Sequence, residues 1–221
     1  MTPDTPAPAV LLDLDGTLAD SPAGIAAAMN ATLVANGERE RTAAELRPFI
    51  GPPLHHTFGT LLDRPADDPG LDEVIAGYRA RYAELMFGLT PVYAGIPEAL
   101  DVLVAAGCTL AVATSKAQHL AVALVEGLGL AGRLSAVCGP VPPARDDKAT
   151  TVGHALAALG GPSRAVMVGD RSHDVEGARA HGLPCVGVLW GAGDEAELVA
   201  AGAVSLCRAP ADLPSAVLAL L

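Results

Sequence analysis

The residues best suited to do chemistry are two aspartates, Asp13 and Asp15, which are separated by a single leucine. They follow the apolar residues 9–12, and Gly16 and Thr17 come directly after them. An apolar run that ends in carboxylates predicts a buried strand, and ligands bind at the carboxyl ends of the strands in open parallel sheets. The sequence therefore predicts acidic chemistry at one edge of a sheet.

Three further polar groups follow predicted strands or begin a predicted helix. They are the run Thr114-Ser115-Lys116, the single residue Lys148, and the segment 169–174 with the sequence Gly-Asp-Arg-Ser-His-Asp. In a doubly wound sheet the carboxyl ends of the strands meet at one edge, so groups that are distant in sequence converge there. The chain has fourteen lysines and arginines, and its only two lysines, Lys116 and Lys148, both fall in these groups.

These residue types favour phosphoryl chemistry. Asp13, Asp15 and Asp170 offer the hard oxygen ligands that Mg²⁺ prefers, and a metal ion would hold the three carboxylates together against their repulsion. Thr114 and Lys148 offer donors for the oxygens of a phosphoryl group. One carboxylate beside a phosphoryl group can act as a nucleophile, and a second can act as general acid and base.

Composition limits the class of protein. The chain has 221 residues, is 51% hydrophobic and carries a formal net charge of −11, so we expect a folded domain and no nucleic-acid partner. No segment has the pattern of a signal peptide or the ~18 apolar residues of a membrane span. The four cysteines are scattered without zinc spacing, which predicts reduced thiols in a cytoplasmic protein.

Short apolar runs alternate with amphipathic stretches over most of the chain. This alternation predicts an α/β fold, with a Rossmann-like parallel sheet core and helices on both faces. The predicted strands are 10–14, 109–113, 134–138, 165–168, 185–189 and 203–207. The predicted helices between and after them are 97–106, 117–128, 149–159, 175–180, 194–201 and 213–220.

Residues 21–92 interrupt the alternation. They contain helical patterns at 24–36, 42–47, 54–62 and 71–87 and no strand pattern, so we predict an inserted, all-helical cap domain. The predicted α/β core then comprises residues 1–20 and 93–221. An insertion at the ligand-binding edge of a sheet is placed to act as a lid.

The motifs together resemble those of the haloacid dehalogenase-like hydrolase superfamily. The four motifs are residues 13–20 (Asp-Leu-Asp-Gly-Thr-Leu-Ala-Asp), residues 113–116 (Ala-Thr-Ser-Lys), Lys148, and residues 168–174 (Val-Gly-Asp-Arg-Ser-His-Asp). The resemblance is closest to phosphoglycolate phosphatase-like members with a helical cap. The segments 50–54, 92–96, 187–191 and 197–203 are also similar to that subgroup.

The resemblance implies a role for each acidic residue. Asp13 would be the nucleophile that forms an aspartyl-phosphate and would also bind Mg²⁺. Asp15 would be the general acid and base, and its backbone carbonyl would bind Mg²⁺. Asp170 would be the third protein ligand, Asp174 would support the metal or its waters, and Asp20 would order the loop that leads to the cap.

The resemblance also implies a phosphoryl-binding set. Thr114 and Lys148 would bind the phosphoryl group and take part in catalysis. Gly16 would allow the tight turn after the nucleophile, and Thr17 would support that turn. The remaining substrate-binding candidates are Ser115 and Lys116.

We therefore predict a Mg²⁺-dependent phosphatase that hydrolyses a small phosphate monoester, such as a phosphoglycolate-like compound or a nucleotide or metabolite phosphate. Asp15 favours ester hydrolysis over dehalogenation, which needs no acid at that position. A phosphomutase of the same superfamily and a non-catalytic binding protein are the alternatives. The sequence leaves open whether the protein is a monomer or homodimer and whether the cap residues Arg47, His55, His56, Arg79 and Arg81 contact the substrate.

Overall fold

The structure is a computed structural model that describes residues 7–144 and 146–221. Within these residues, six strands form one parallel sheet in the order β3-β2-β1-β4-β5-β6. The strands are β1 (Ala9–Leu12), β2 (Thr109–Ala113), β3 (Ala136–Cys138), β4 (Ala165–Gly169), β5 (Cys185–Val188) and β6 (Ser205–Cys207). The predicted parallel α/β fold is confirmed.

The central strands are apolar because both of their faces are covered. Every residue of β1, β4 and β5 is buried, as expected for a parallel sheet between two layers of helices. β1 lies between β2 and β4, and Leu12 pairs with Val112 on one side and Val168 on the other. The residues that follow these three strands therefore emerge side by side at one edge.

Ten α-helices accompany the sheet in the described part of the chain. They are α1 (Pro22–Ala35), α2 (Ala43–Leu46), α3 (Leu54–Leu61), α4 (Leu71–Leu89), α5 (Ile96–Ala105), α6 (Gln118–Gly127), α7 (Lys148–Ala158), α8 (Ser172–Ala180), α9 (Glu195–Ala201) and α10 (Leu213–Leu218). A buried core cluster includes Leu11, Met167 and Leu198 from β1, β4 and α9. This packing fixes α7, α8 and α9 against the strands whose ends carry the polar groups.

The chain divides into two compact units. One comprises the residues up to Ala19 together with Val92–Leu221, and the other is Asp20–Pro91. The second unit contains α1 to α4 and no strand, and all of its residues are described. Its interior includes the packed rings of Phe58 and Tyr78, whose centroids lie 5.3 Å apart.

The segments that leave and re-enter the sheet unit pair with each other. The Tyr93 N–H donates to the Leu18 carbonyl at 3.1 Å, and Ala19 forms an antiparallel bridge with Val92. We call residues 17–19 and 92–93 the paired linker segments.

One helix begins earlier than the sequence pattern predicts. α8 starts at Ser172 rather than at residue 175, because the Asp174 carboxylate accepts a hydrogen bond from the Arg171 N–H at 3.0 Å and caps the helix. Asp174 therefore lies in the first turn of a helix.

Two further features concern the cysteines and the lengths of the helices. All four cysteines are free. Among the described residues, no helix has both the length and the apolar character needed to cross a membrane.

Candidate active site

Asp13 and Asp15 follow β1 as predicted. The Asp13 N–H donates to the Val168 carbonyl at 2.9 Å, so the sheet continues one residue past β1 and holds Asp13 at the edge. The chain then turns at Gly16, whose φ is +85°. A Cβ on Gly16 would overlap the Asp170 carboxylate, so glycine is needed both for the turn and for the close approach of Asp170.

Lys148 joins three parts of the edge. Its Nζ lies 2.6 Å from Asp13 Oδ1, 2.7 Å from Asp174 Oδ1 and 2.9 Å from the Ala113 carbonyl. It is the first residue of α7, where Asp147 caps the helix, and the helix dipole disfavours a cation at that end. The attraction of the Asp13 and Asp174 carboxylates offsets this unfavourable interaction with the helix dipole.

The residues after β2 lie beside Asp15. Lys116 Nζ is 2.9 Å from Asp15 Oδ2, and both side chains are largely buried. Thr114 is buried, and its hydroxyl accepts the Lys116 N–H at 3.2 Å, which leaves the hydroxyl proton available for a ligand. Ser115 is exposed. Lys116 is therefore placed to hold Asp15, a contact that the sequence did not predict.

Asp170 follows β4 and is enclosed by backbone. Its Oδ2 accepts the Ala192 N–H at 2.7 Å, and its Oδ1 is buried without a hydrogen-bond partner among the described residues. Gly169 is the last residue of β4, directly before Asp170, and a Cβ on Gly169 would overlap the Asp174 carboxyl group. The carboxyl groups of Asp170 and Asp174 are therefore both buried and closely packed.

Burial makes the acidic residues resist ionisation. Burial raises the pKa of Asp13 to about 6; the Lys148 ammonium opposes the rise, and the negative charges of Asp174 and Asp15 add to it. Burial also raises the pKa of Asp170 to about 8, with further contributions from Asp174 and Asp13.

The pKa of Lys148 is also raised, which for an ammonium group favours the charged form. Burial alone would lower the pKa of its ammonium, but the carboxylates of Asp13 and Asp174 outweigh burial and raise the pKa. Lys148 therefore stays charged at neutral pH, and the site offers a fixed positive group beside Asp13.

The side chains of Asp13, Asp170 and Asp174 can hold a cation together. Each offers a carboxylate oxygen, and these oxygens all lie within 4.8 Å of one another in a buried position. The buried Asp170 Oδ1, which has no hydrogen-bond partner among the described residues, fits an oxygen that would bind a cation. All-oxygen donors fit a hard divalent ion such as Mg²⁺.

The sequence placed the side chain of Asp174 only in a supporting role. The structure brings it as close to the cluster as Asp13 and Asp170, because α8 begins early enough to carry Asp174 on its first turn. The expected contribution of Asp15 through its backbone carbonyl stays a prediction. Thr17 is buried, and Asp20 is exposed at the start of the helical unit, where its N–H donates to the Pro91 carbonyl.

Glu197 supports the site, and the sequence did not predict this role. Glu197 on α9 accepts hydrogen bonds from Arg171 Nε at 2.9 Å and from the Ser172 N–H at 2.8 Å, so it ties α9 to the segment between Asp170 and Asp174. The segment 197–203, which begins with Glu197, is similar to the phosphoglycolate phosphatase-like subgroup, but the sequence assigned no role to it.

The helical unit carries its own polar contacts. His55 Nε2 lies 2.8 Å from Asp72 Oδ1, which joins α3 to α4. Arg47 and His56 are exposed, whereas Arg79 is half-buried and burial lowers its pKa. Whether these side chains contact a substrate stays open, as it does from the sequence.

Known proteins share this arrangement of fold and motifs. A family model described as haloacid dehalogenase-like hydrolase matches residues 10–188, which include all four predicted motifs. The chain belongs to this family. Its membership confirms the resemblance drawn from the motifs and assigns the chain to a family of hydrolases.

Curated relatives of this chain carry different names. The tyrosine-protein kinase PtkA of Mycobacterium tuberculosis is 38% identical over 187 residues, which cover 83% of this chain and 62% of PtkA. A 5'-nucleotidase of Pseudomonas aeruginosa is 36% identical over 193 residues, 86% of each chain. A phosphoglycolate phosphatase of Agrobacterium fabrum is 36% identical over 200 residues, 86% of this chain and 84% of that protein. The chain thus spans 62% of the length of PtkA and most of the other two relatives.

Solved structures of this hydrolase family agree with the fold. A structure described as a predicted phosphatase from Clostridium acetobutylicum has a TM-score of 0.90 and 31% identity, and the match covers 97% of this chain and 99% of that one. The structure of PtkA has a TM-score of 0.80 and 33% identity, with 95% and 98% coverage.

Proposed function

We propose that this chain is a Mg²⁺-dependent phosphatase that hydrolyses a small phosphate monoester through an aspartyl-phosphate on Asp13. The observation that carries the proposal is the contact at 2.6 Å between Lys148 Nζ and the buried Asp13 carboxylate, beside the carboxylates of Asp170 and Asp174. A nucleophile, a fixed cation and a candidate metal cluster thereby share one buried edge. This combination supports phosphoryl transfer, which depends on positioning and on charge stabilisation.

Asp13, Asp170 and Asp174 are the side chains that would hold the metal ion, together with the backbone carbonyl of Asp15. When bound, the ion supplies positive charge that offsets the charge of the phosphoryl oxygens. The three carboxylates of Asp13, Asp170 and Asp174 against the Lys148 ammonium leave two negative charges, which suits a divalent cation.

The first chemical step belongs to Asp13. Its carboxylate oxygen forms a bond to phosphorus while the bond from phosphorus to the ester oxygen breaks, and Asp15 donates a proton to the departing alcohol. Lys148 and the Thr114 hydroxyl donate to the other phosphoryl oxygens. Lys116 holds the Asp15 carboxylate at 2.9 Å beside this reaction.

The second step regenerates Asp13. Asp15, now ionised, takes a proton from a water molecule, and the water oxygen bonds to phosphorus as the bond to Asp13 breaks. Inorganic phosphate leaves. We propose that the cap, residues 21–92, selects the alcohol portion of the substrate and excludes bulk water during these steps.

The names of the relatives narrow the substrates to be tested. Two relatives are named for phosphoglycolate and for 5'-nucleotides, so phosphoglycolate and a nucleoside 5'-monophosphate are the first esters to compare. The likeness to PtkA favours a second candidate activity, phosphoryl transfer to tyrosine. Phosphate recovered on tyrosine rather than in solution would identify it.

The test is phosphate release from a panel of small phosphomonoesters, with Mg²⁺ and with a chelator in its place. The native protein is compared with Asp13→Asn and with Asp67→Asn, which changes an exposed carboxylate in the helical unit. We expect release by the native protein and by Asp67→Asn with Mg²⁺ only, and none by Asp13→Asn. Undiminished release by Asp13→Asn would overturn the proposed nucleophile. Transfer to a second hydroxyl without release would identify a mutase, and binding without turnover a non-catalytic protein.

A further inference from the structure

The loop between β5 and α9 encloses the candidate metal ligand Asp170. We call residues 190–193, Trp-Gly-Ala-Gly, the 190–193 loop. The Ala192 N–H donates to Asp170 Oδ2 at 2.7 Å. A Cβ on Gly191 would overlap Asp170 Oδ2, and a Cβ on Gly193 would overlap the Asp170 backbone carbonyl. The loop backbone therefore lies directly against Asp170, and a shift of one is transmitted to the other.

The other end of the same loop lies on the paired linker segments. The indole Nε1 of Trp190 donates to the Thr17 carbonyl at 3.1 Å. The Trp190 ring also packs edge-on against Tyr93, with the ring centroids 6.5 Å apart. Thr17 lies on the segment that leaves the sheet unit, and Tyr93 lies on the segment that returns to it. Trp190 thus contacts both linker segments at once.

We propose that Trp190 and Ala192 are positioning residues that couple Asp170 to the paired linker segments, so that a cation bound at the acidic cluster changes the surroundings of Trp190. The inference rests on the metal site of the proposed function. The coupling is reciprocal, because any change in the linker that binding favours must in turn change the affinity for the cation.

The direction of the effect follows from the hydrogen bonds of Asp170. Its Oδ2 is held by Ala192, whereas its Oδ1 is buried and has no hydrogen-bond partner among the described residues, so Oδ1 is the oxygen left for a cation. A cation at Oδ1 fixes the orientation of the carboxyl group, and the same rigid group carries the Oδ2 atom that accepts the Ala192 N–H. A bound cation therefore tightens the 190–193 loop on Asp170 and fixes Trp190 on Thr17.

The chain offers a direct reporter, because Trp190 is its only tryptophan. The first experiment follows the fluorescence of the full chain while Mg²⁺ is added, and measures Mn²⁺ binding separately by the paramagnetic resonance of the free ion. We expect a saturable change in emission in the native protein and its loss in Asp170→Asn. Gly132→Ala is the matched control, since a Cβ there meets nothing within 4 Å, and it should respond as the native protein does.

The second experiment separates coupling from simple stabilisation. Trp190→Phe keeps an aromatic ring against Tyr93 and removes only the donor to the Thr17 carbonyl. We expect its affinity for Mn²⁺ to fall, by at most about fivefold, the limit reached if this one hydrogen bond forms fully only when the cation is bound. A purely structural role would lower the melting temperature of the metal-free protein and leave the Mn²⁺ affinity unchanged.

The outcomes distinguish this inference from the proposed function. Mn²⁺ binding with no change in Trp190 emission, or native affinity in Trp190→Phe, would overturn the coupling and leave the phosphatase intact. Absence of any Mn²⁺ binding would overturn the metal site and the coupling together. Phosphate release measured on the same preparation tests the proposed function separately from the coupling.

Discussion

Raising the pH should destabilise the metal-free protein between about pH 6 and 8. In this window the folded protein holds a proton on Asp170, whose pKa is raised to about 8 by burial, whereas the unfolded chain, with an ordinary pKa of 3.8, does not. Stability therefore decreases as the pH approaches the folded pKa. A full proton costs about 1.4 kcal/mol per pH unit, and the slope halves near pH 8, where Asp170 is half ionised, so the free energy of unfolding should fall by about 2 kcal/mol across the window. Asp13, whose pKa is raised to about 6, adds a decrease at lower pH, between 3.8 and 6.

Urea unfolding at several pH values, with a chelator present, measures the slope of the free energy of unfolding against pH. Asp170→Asn removes the titrating group and should flatten the slope, whereas Asp67→Asn, at an exposed position, should keep it. Saturating Mg²⁺ should also flatten the slope, because the ion replaces the proton on the cluster. A native stability that is constant or increases from pH 6 to 8 without metal would refute the reasoning, as would an unchanged slope in Asp170→Asn.

Two substitutions test the packing of the cluster. Lys148→Met leaves the buried carboxylates of Asp13 and Asp174 without their cation. We expect the free energy of unfolding, measured with urea at neutral pH, to fall by about 3–5 kcal/mol, and phosphate release to fall at least ~100-fold. A variant as stable as the native protein would contradict the two ion pairs. Gly169→Ala places a Cβ in the Asp174 carboxyl group and should cost about 1–3 kcal/mol, whereas Gly132→Ala, in open space, should stay within about 0.5 kcal/mol. Equal effects of the two alanines would contradict the close contact at Gly169.

The sequence predicted the parts of the fold that depend on simple periodicity. Continuous apolar runs such as residues 165–168 predict buried parallel strands, and each is followed by the polar residues that reach the edge. The same reasoning located Asp13 and Lys148 at one site, although they are 135 positions apart in the chain. Topology explains this success, because α7 connects β3 to β4 and its first residue, Lys148, lies at the edge where β1 and β2 end.

The contacts within the site could not be predicted in the same way. Which carboxylate each lysine meets depends on side-chain geometry, and the structure pairs Lys116 with Asp15 and Lys148 with Asp13. The hydrogen bond from Ala192 to Asp170 is donated by a backbone N–H, so the type of residue at position 192 does not predict it. Trp190 likewise contacts a backbone carbonyl, and an aromatic residue after a strand is more often part of a core.

The central claim is that Asp13 becomes phosphorylated, and an Asp15→Asn variant tests it most directly. With p-nitrophenyl phosphate the leaving group needs no acid, so this variant should complete the first step and stall before the water attack that Asp15 assists. The account predicts a rapid burst of one p-nitrophenolate per protein in the presence of Mg²⁺, with the phosphoryl group found on Asp13 by peptide mass spectrometry after an acid quench. Absence of the burst, or a phosphoryl group on another residue, would contradict it.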